Sequence, residues 1–199
     1  MGKFKKYIIL FIPFFLLGFL CGCASFRSGQ LAPISHWPPQ ATMPKKSISI
    51  IVTTEGSLNG KEQEVNAEFT KIWRKQIIKA YRESGLFSEV KTGFAETDFQ
   101  AEVRIIDNEK GSSALSMLSG LTFTLIPWSC SDTFTLKTTI RDREGKTLGV
   151  FEDLETITLR YQLFLIFLTP FNFPYSVNTQ TMYDLTRATI IDAHAKNCF

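Results

Sequence analysis

The sequence predicts an α+β domain: an antiparallel sheet packed against an amphipathic helix, with a C-terminal helix and two apolar flaps. Three patterns predict it, namely strands of period two, two segments with helical spacing, and a hairpin-type link between late strands. The first strand is Ser47-Ile48-Ser49-Ile50-Ile51-Val52-Thr53-Thr54, β-branched and bounded by charge and glycine. Residues 56–60 read as a turn. Over residues 64–83, Val65, Phe69, Ile72, Trp73, Ile77, Ala80 and Tyr81 recur at helical spacing and make a stripe that faces a sheet. Lys71, Arg74, Lys75, Lys79 and Arg82 are interleaved with Glu64, Glu68 and Glu83, the pattern of a solvated face. Gly85 caps the helix, and residues 86–90 start another strand. Phe99, Ala101, Val103 and Ile105 alternate with Gln100, Glu102 and Arg104, as in a half-buried strand. Residues 133–141 repeat that pattern, and Asp142-Arg143-Glu144-Gly145-Lys146 turns the chain into a returning strand at 147–158. A last helix, near 179–196, puts Met182, Leu185, Ala188, Ile191 and Ala195 on one side.

At 199 residues the chain fits one domain with its own core. With 44% hydrophobic and 21% charged residues, it is neither wholly disordered nor a polytopic membrane protein. Lysine and arginine number 22 against 19 acids, and Lys3, Lys5 and Lys6 account for the whole excess. The remaining chain is neutral, so no nucleic-acid partner is expected.

Those lysines precede an uncharged apolar run, residues 7–20, of signal-peptide length and short for a spanning helix. The run ends in Leu20-Cys21-Gly22-Cys23-Ala24-Ser25, which resembles the lipobox of bacterial lipoproteins. In that family a small residue precedes a cysteine whose thiol takes diacylglycerol before the peptide is cut. Cys23 fits, with Gly22 before it and Leu20 three positions back; Cys21 fits poorly, because Leu20 precedes it directly. The departure is Cys21 itself, where the family usually has Ala or Ser. Ordinary cleavage after Ala24, or an uncut N-terminal anchor, would need no cysteine at all. The resemblance implies a signal peptide at 1–22 and a lipidated Cys23. With Ala24 next rather than Asp, it also implies the periplasmic face of the outer membrane.

Residues 23–46 carry Pro33, Pro38, Pro39 and Pro44 and read as an extended, lipid-anchored tether, reaching some tens of Å at about 3 Å per residue. Residues 47–199 form the single folded domain. Within it, Ile48 to Val52, the helix ending Glu83-Ser84-Gly85-Leu86-Phe87, and the strand after Asp98 resemble small α+β envelope accessory lipoproteins. These are of the transport-auxiliary and curli-secretion types. The resemblance covers residues 47–107, implies an assembly or accessory role, and carries over no functional residue.

No charge occurs between Lys110 and Asp132, nor between Arg160 and Asp184. These segments cover the sheet as core, form apolar flaps that contact membrane or a partner, or hold a spanning element, against which their Ser, Gly, Asn, Gln and Pro residues argue. Pro170 and Pro174 bracket Phe171 and Phe173 and forbid a regular helix there, so Leu165, Phe167, Phe171 and Phe173 are the contact candidates. Cleavage before Cys23 leaves Cys130 and Cys198, an even pair in an oxidising compartment and hence a disulfide candidate. The bridge would close nearly 70 residues and contribute about 4 kcal/mol in the chain-entropy model.

Residues suited to catalysis are few. His36 and His194 are the only histidines and lie far apart, and no Gly-x-Ser-x-Gly elbow occurs. No enzyme activity, cofactor or metal is expected. The sequence thus points to a lipid-anchored outer-membrane protein with a non-catalytic binding or assembly role and an envelope protein partner. An alternative is an apolar-ligand (lipid-like) binding protein with its pocket under the flaps.

Overall fold

The computed structural model describes residues 22–41 and 44–199; the expected signal peptide, except Gly22, lies outside them. The strands are β1 (Cys23–Arg27), β2 (Lys46–Leu58), β3 (Lys61–Gln63), β4 (Phe87–Thr92), β5 (Phe99–Lys110), β6 (Trp128–Asp142) and β7 (Thr147–Tyr161). The helices are α1 (Ala67–Glu83), α2 (Ser113–Leu121) and α3 (Pro174–Ala195), with a 3-10 turn at Leu163–Phe167. One seven-stranded sheet runs β1-β7-β6-β5-β2-β3, and β4 also pairs with β2.

The expected α+β architecture is present, with one difference in strand direction. β2 pairs in parallel with both β4 and β5, whereas β1, β3, β6 and β7 pair antiparallel to their neighbours. The cause is α1, which carries the chain back along the sheet so that β4 starts in the same direction as β2. The inward-facing alternation holds: Ile48, Ile50, Ala101, Val103, Ile105, Phe134, Leu136 and Ile140 are buried together under α1 and α3. Trp73 of α1 stacks edge-on to Phe134 at 5.3 Å, and its indole N–H donates to Asn178 of α3 at 2.7 Å. Asn66 caps α1 by accepting from the Glu68 amide, and Gly85 (φ +67°) leaves the helix in the left-handed conformation its C-cap role required. α3 starts at Pro174, earlier than expected, because proline suits a first helical position that needs no N–H.

The expected tether is largely built into the body. Cys23–Arg27 add to the sheet edge along β7, Cys23 opposite Tyr161 and Arg27 opposite Ile157, with Ala24 and Ser25 buried. Prolines begin only at Pro33, so nothing in residues 23–27 prevents a strand. Beyond β1 the chain is held by one carboxylate. Glu155, fully buried on β7, accepts from the Gly29 and Gln30 amides at 3.1 and 3.3 Å through Oε1, and from the Leu31 amide at 3.3 Å through Oε2. The Ser28 hydroxyl donates to it at 3.0 Å and the Arg27 guanidinium at 3.4 Å. Arg27 also donates to Asp184 on α3 at 2.7 Å. Further along, Trp37 lies under the Arg187 guanidinium at 4.9 Å and packs edge-on to Tyr183.

Burial pushes the Glu155 carboxyl up, but the hydrogen bonds from Ser28, Leu31 and Gln30 and the Arg27 charge outweigh it and hold it below the usual glutamate range. A depressed carboxylate contributes stability above its unfolded pKa of about 4.3 and loses it as pH falls through the folded value. Replacing Glu155 with Ala is therefore expected to cost about 2–4 kcal/mol at pH 7. The difference from wild type should shrink below about pH 4. Urea titration across pH, with limited proteolysis of residues 28–41, checks this. Equal stability and equal protease resistance at pH 7 would refute it.

Candidate functional site

Three chain segments meet at one end of the sheet. β6 begins at Trp128, near the end of the first charge-free segment, and β7 ends at Tyr161, the first residue of the second. Trp128 and Tyr161 are paired across the strands, their rings 5.1 Å apart, and Tyr161 pairs on its other side with Cys23. The candidate lipidation residue thus sits at the sheet edge, beside the base of the second flap and one strand from the base of the first. Hydrogen bonds hold it there: the Thr169 hydroxyl donates to the Cys23 carbonyl at 2.9 Å, and the Ser25 amide donates to the Asn172 carbonyl at 2.9 Å.

The flaps are surface rather than core. Among the described residues, thirteen of the eighteen exposed large hydrophobic side chains lie in them. Of the four contact candidates, Phe171 is 83% exposed, Phe167 78% and Phe173 50%, while Leu165 is half-buried in the 3-10 turn. Met117, Leu121 and Leu125 extend the same apolar character across the first flap, where α2 is capped by Ser112. Phe123 and Thr124 take positive φ values, 50° and 58°, unfavourable for residues with a Cβ, and the tip turns sharply through them. Among the described residues, no helix is long and apolar enough to cross a membrane.

The opposite end of the sheet is the charged hairpin at 142–146, about 45 Å away along β6 at ~3.3 Å per residue. That length also removes the expected disulfide. Cys130 lies at the flap end opposite Leu159, whereas the Cys198 sulfur lies beside Gly149, whose β6 partner is Ile140. Ten residues of strand separate the two sites, ~33 Å, against the 4.4–6.8 Å between Cα atoms that a bridge needs. Both thiols are free and buried. The physical reason is α3, which starts at the flap end and carries Cys198 along the sheet to the other.

A second cluster lies at the same end of the sheet. Inward-facing positions at the flap end of β5 and β6 hold Asp107, Glu109, Cys130 and Asp132, with Glu109 directly opposite Asp132. Asp107, Glu109 and Asp132 line a cavity of about 190 Å³ with Glu64, Phe69, Trp73 and Asn178, and no lysine or arginine lines it. Burial, then the charges of Asp132 and Glu109, push Asp107 up to about 7; burial, then Glu109, push Asp132 up to about 6. One oxygen of each is buried with no hydrogen-bond partner. The signal in the sequence was weak, because the strand register alone brings acids on separate strands together.

No family model and no curated protein matches the chain. Solved structures that are loosely similar include two of bacterial origin. One is a PelC dodecamer from Paraburkholderia phytofirmans, 6% identical over 83% of this chain and 95% of that chain, with TM-score 0.40. The other is a neuraminyllactose-binding hemagglutinin homolog from Helicobacter pylori, 8% identical over 83% and 88%, also with TM-score 0.40. Likeness at this level carries no functional weight.

Because Phe171 and Phe173 project from the body, replacing both with Ser should change stability by less than about 1 kcal/mol, against 3–5 kcal/mol for a buried aromatic truncation. Thermal denaturation of the double variant measures this. A loss of several kcal/mol would mean that the tip is core.

Proposed function

We propose that the protein is a lipid-anchored envelope component at the periplasmic face of the outer membrane, with a binding or assembly role and no chemistry of its own. The observation that carries this reading is the convergence of Cys23 and both charge-free flaps on one end of the sheet. Acyl chains attached at Cys23 would enter a bilayer beside the flaps, since β1 leaves no spacer between lipid and body. Irregular backbone cannot go deep into hydrocarbon without stranding polar groups, so the flaps would rest at the headgroup boundary. Each Phe or Leu buried there contributes up to about 1.5–3 kcal/mol. The acyl chains then supply attachment, and the flaps supply orientation. The charged hairpin end points away from the membrane and is left for an envelope protein partner.

Metabolic labelling with a palmitate analogue, followed by flotation of the purified protein on liposomes, tests the reading. Wild type should carry label and float, and Cys23→Ser should lose the label. A form expressed from residue 24, with neither signal peptide nor acyl chains, should still float weakly, and adding Phe171→Ser and Phe173→Ser should abolish that remainder. Retained label in Cys23→Ser would overturn the anchor. Equal flotation with and without the two phenylalanines would overturn the role of the flaps.

A further inference from the structure

We propose that Cys130, Asp132 and Glu109 form a zinc site at the base of the first flap. The sulfur of Cys130 and carboxylate oxygens of Asp132 and Glu109 all lie within 4.8 Å of one another. Tetrahedral zinc, with Zn–S of about 2.3 Å and Zn–O of about 2.1 Å, sets its ligands ~3.3–3.8 Å apart. Side-chain torsions closing about 1 Å would complete the site without moving either strand.

The thiol is the observation that distinguishes this cluster from an ordinary acidic patch. Cys130 is only 6% exposed and free, and its sulfur points among the carboxylates rather than into an apolar layer. A thiol in that position gains nothing from neighbouring negative charge, and the carboxylates gain no donor from lysine or arginine. A divalent cation satisfies all of them at once. Burial, with the charges of Asp132 and Glu109, pushes the free thiol up to about 12. Zinc would displace its proton to solvent on binding, because a coordinating thiol is deprotonated outright. Sulfur beside two carboxylates selects a borderline metal such as zinc over calcium or magnesium, which take oxygen ligands alone. Three protein ligands leave a fourth position towards the cavity lined by Asp107.

The placement gives the ion a structural consequence. Glu109 lies two residues before the first charge-free segment, and Cys130 and Asp132 bracket its end. Zinc would therefore clamp together the two strands from which the flap springs.

Titration of the chelator-treated, purified full-length protein with Zn²⁺ by calorimetry, and with Co²⁺ by absorption, tests the site. Wild type should bind one zinc per chain, and cobalt should give a sulfur-to-metal charge-transfer band. Cys130→Ser should abolish that band, and Asp132→Asn and Glu109→Gln should each weaken zinc binding at least tenfold. Circular dichroism establishes that every variant compared is folded. Absence of zinc uptake by the folded wild type would overturn the proposal. So would unchanged affinity in Cys130→Ser and Asp132→Asn, or a site lost only on His36→Ala or His194→Ala. If the single variants fail to fold, X-ray absorption of the zinc-loaded wild type serves instead. One sulfur ligand at about 2.3 Å beside oxygen ligands at about 2.1 Å is expected, and a zinc shell without sulfur would overturn the site.

Discussion

The buried carboxylate of Glu155 sets the geometry of the functional end. It gathers three consecutive backbone amides, from Gly29 to Leu31, with a serine hydroxyl and a guanidinium. A buried carboxylate is costly unless it is satisfied in this way. Once satisfied, it determines where the N-terminal segment can run. Cys23–Arg27 then lie along β7, and Arg27 reaches across to Asp184 of α3. Cys23 is placed opposite Tyr161, at the base of the second flap and one strand from the first. A loose proline-rich spacer would have let the body stand at any distance from Cys23. The docked segment removes that freedom.

The resulting molecule is polar along its length. One end exposes apolar flaps and the other a charged hairpin, and the sheet between them is sealed by helices on one face. On the other face, cross-strand ion pairs such as Lys137–Glu152 and Arg141–Glu102 lie at the surface, where such pairs contribute little stability and favour solubility. Exposed apolar surface of this extent on a small domain needs a cover. On the proposed reading, a bilayer brought to Cys23 by acyl chains would cover both flaps together, because both arise from the same end as Cys23. A zinc ion between Glu109 and Cys130 would stiffen the base of the first flap, which is otherwise tied by Asn59 to Gly111 and by the Trp128 indole to the Ser112 carbonyl.

What could be read from the sequence follows from how local each signal is. Alternation at Phe99 to Ile105 and the stripe from Phe69 to Tyr81 are local, and both elements stand where those patterns put them. Three features were not local. The strand character of Cys23–Arg27 depends on a free edge of β7 more than a hundred residues away. The absence of charge in the flaps fits burial and exposure equally well, because composition records polarity and not location. The cluster of Glu109, Cys130 and Asp132 exists only in the register of β5 on β6. Likewise, an even pair of cysteines suggested a bridge, but the direction of α3 decides which sulfurs can meet, and it separates these two.

The central claim is that Cys23 and the two flaps form one membrane-facing end. Site-directed spin labelling of the acylated protein in liposomes tests it most directly, with nitroxides placed singly at Met117, Phe171 and Glu144. Relaxation by oxygen against a water-soluble nickel complex reports the depth of each. The account expects positions 117 and 171 to lie together about 5–10 Å into the headgroup and acyl boundary, with position 144 fully in water. Equal aqueous accessibility at all three positions would contradict it.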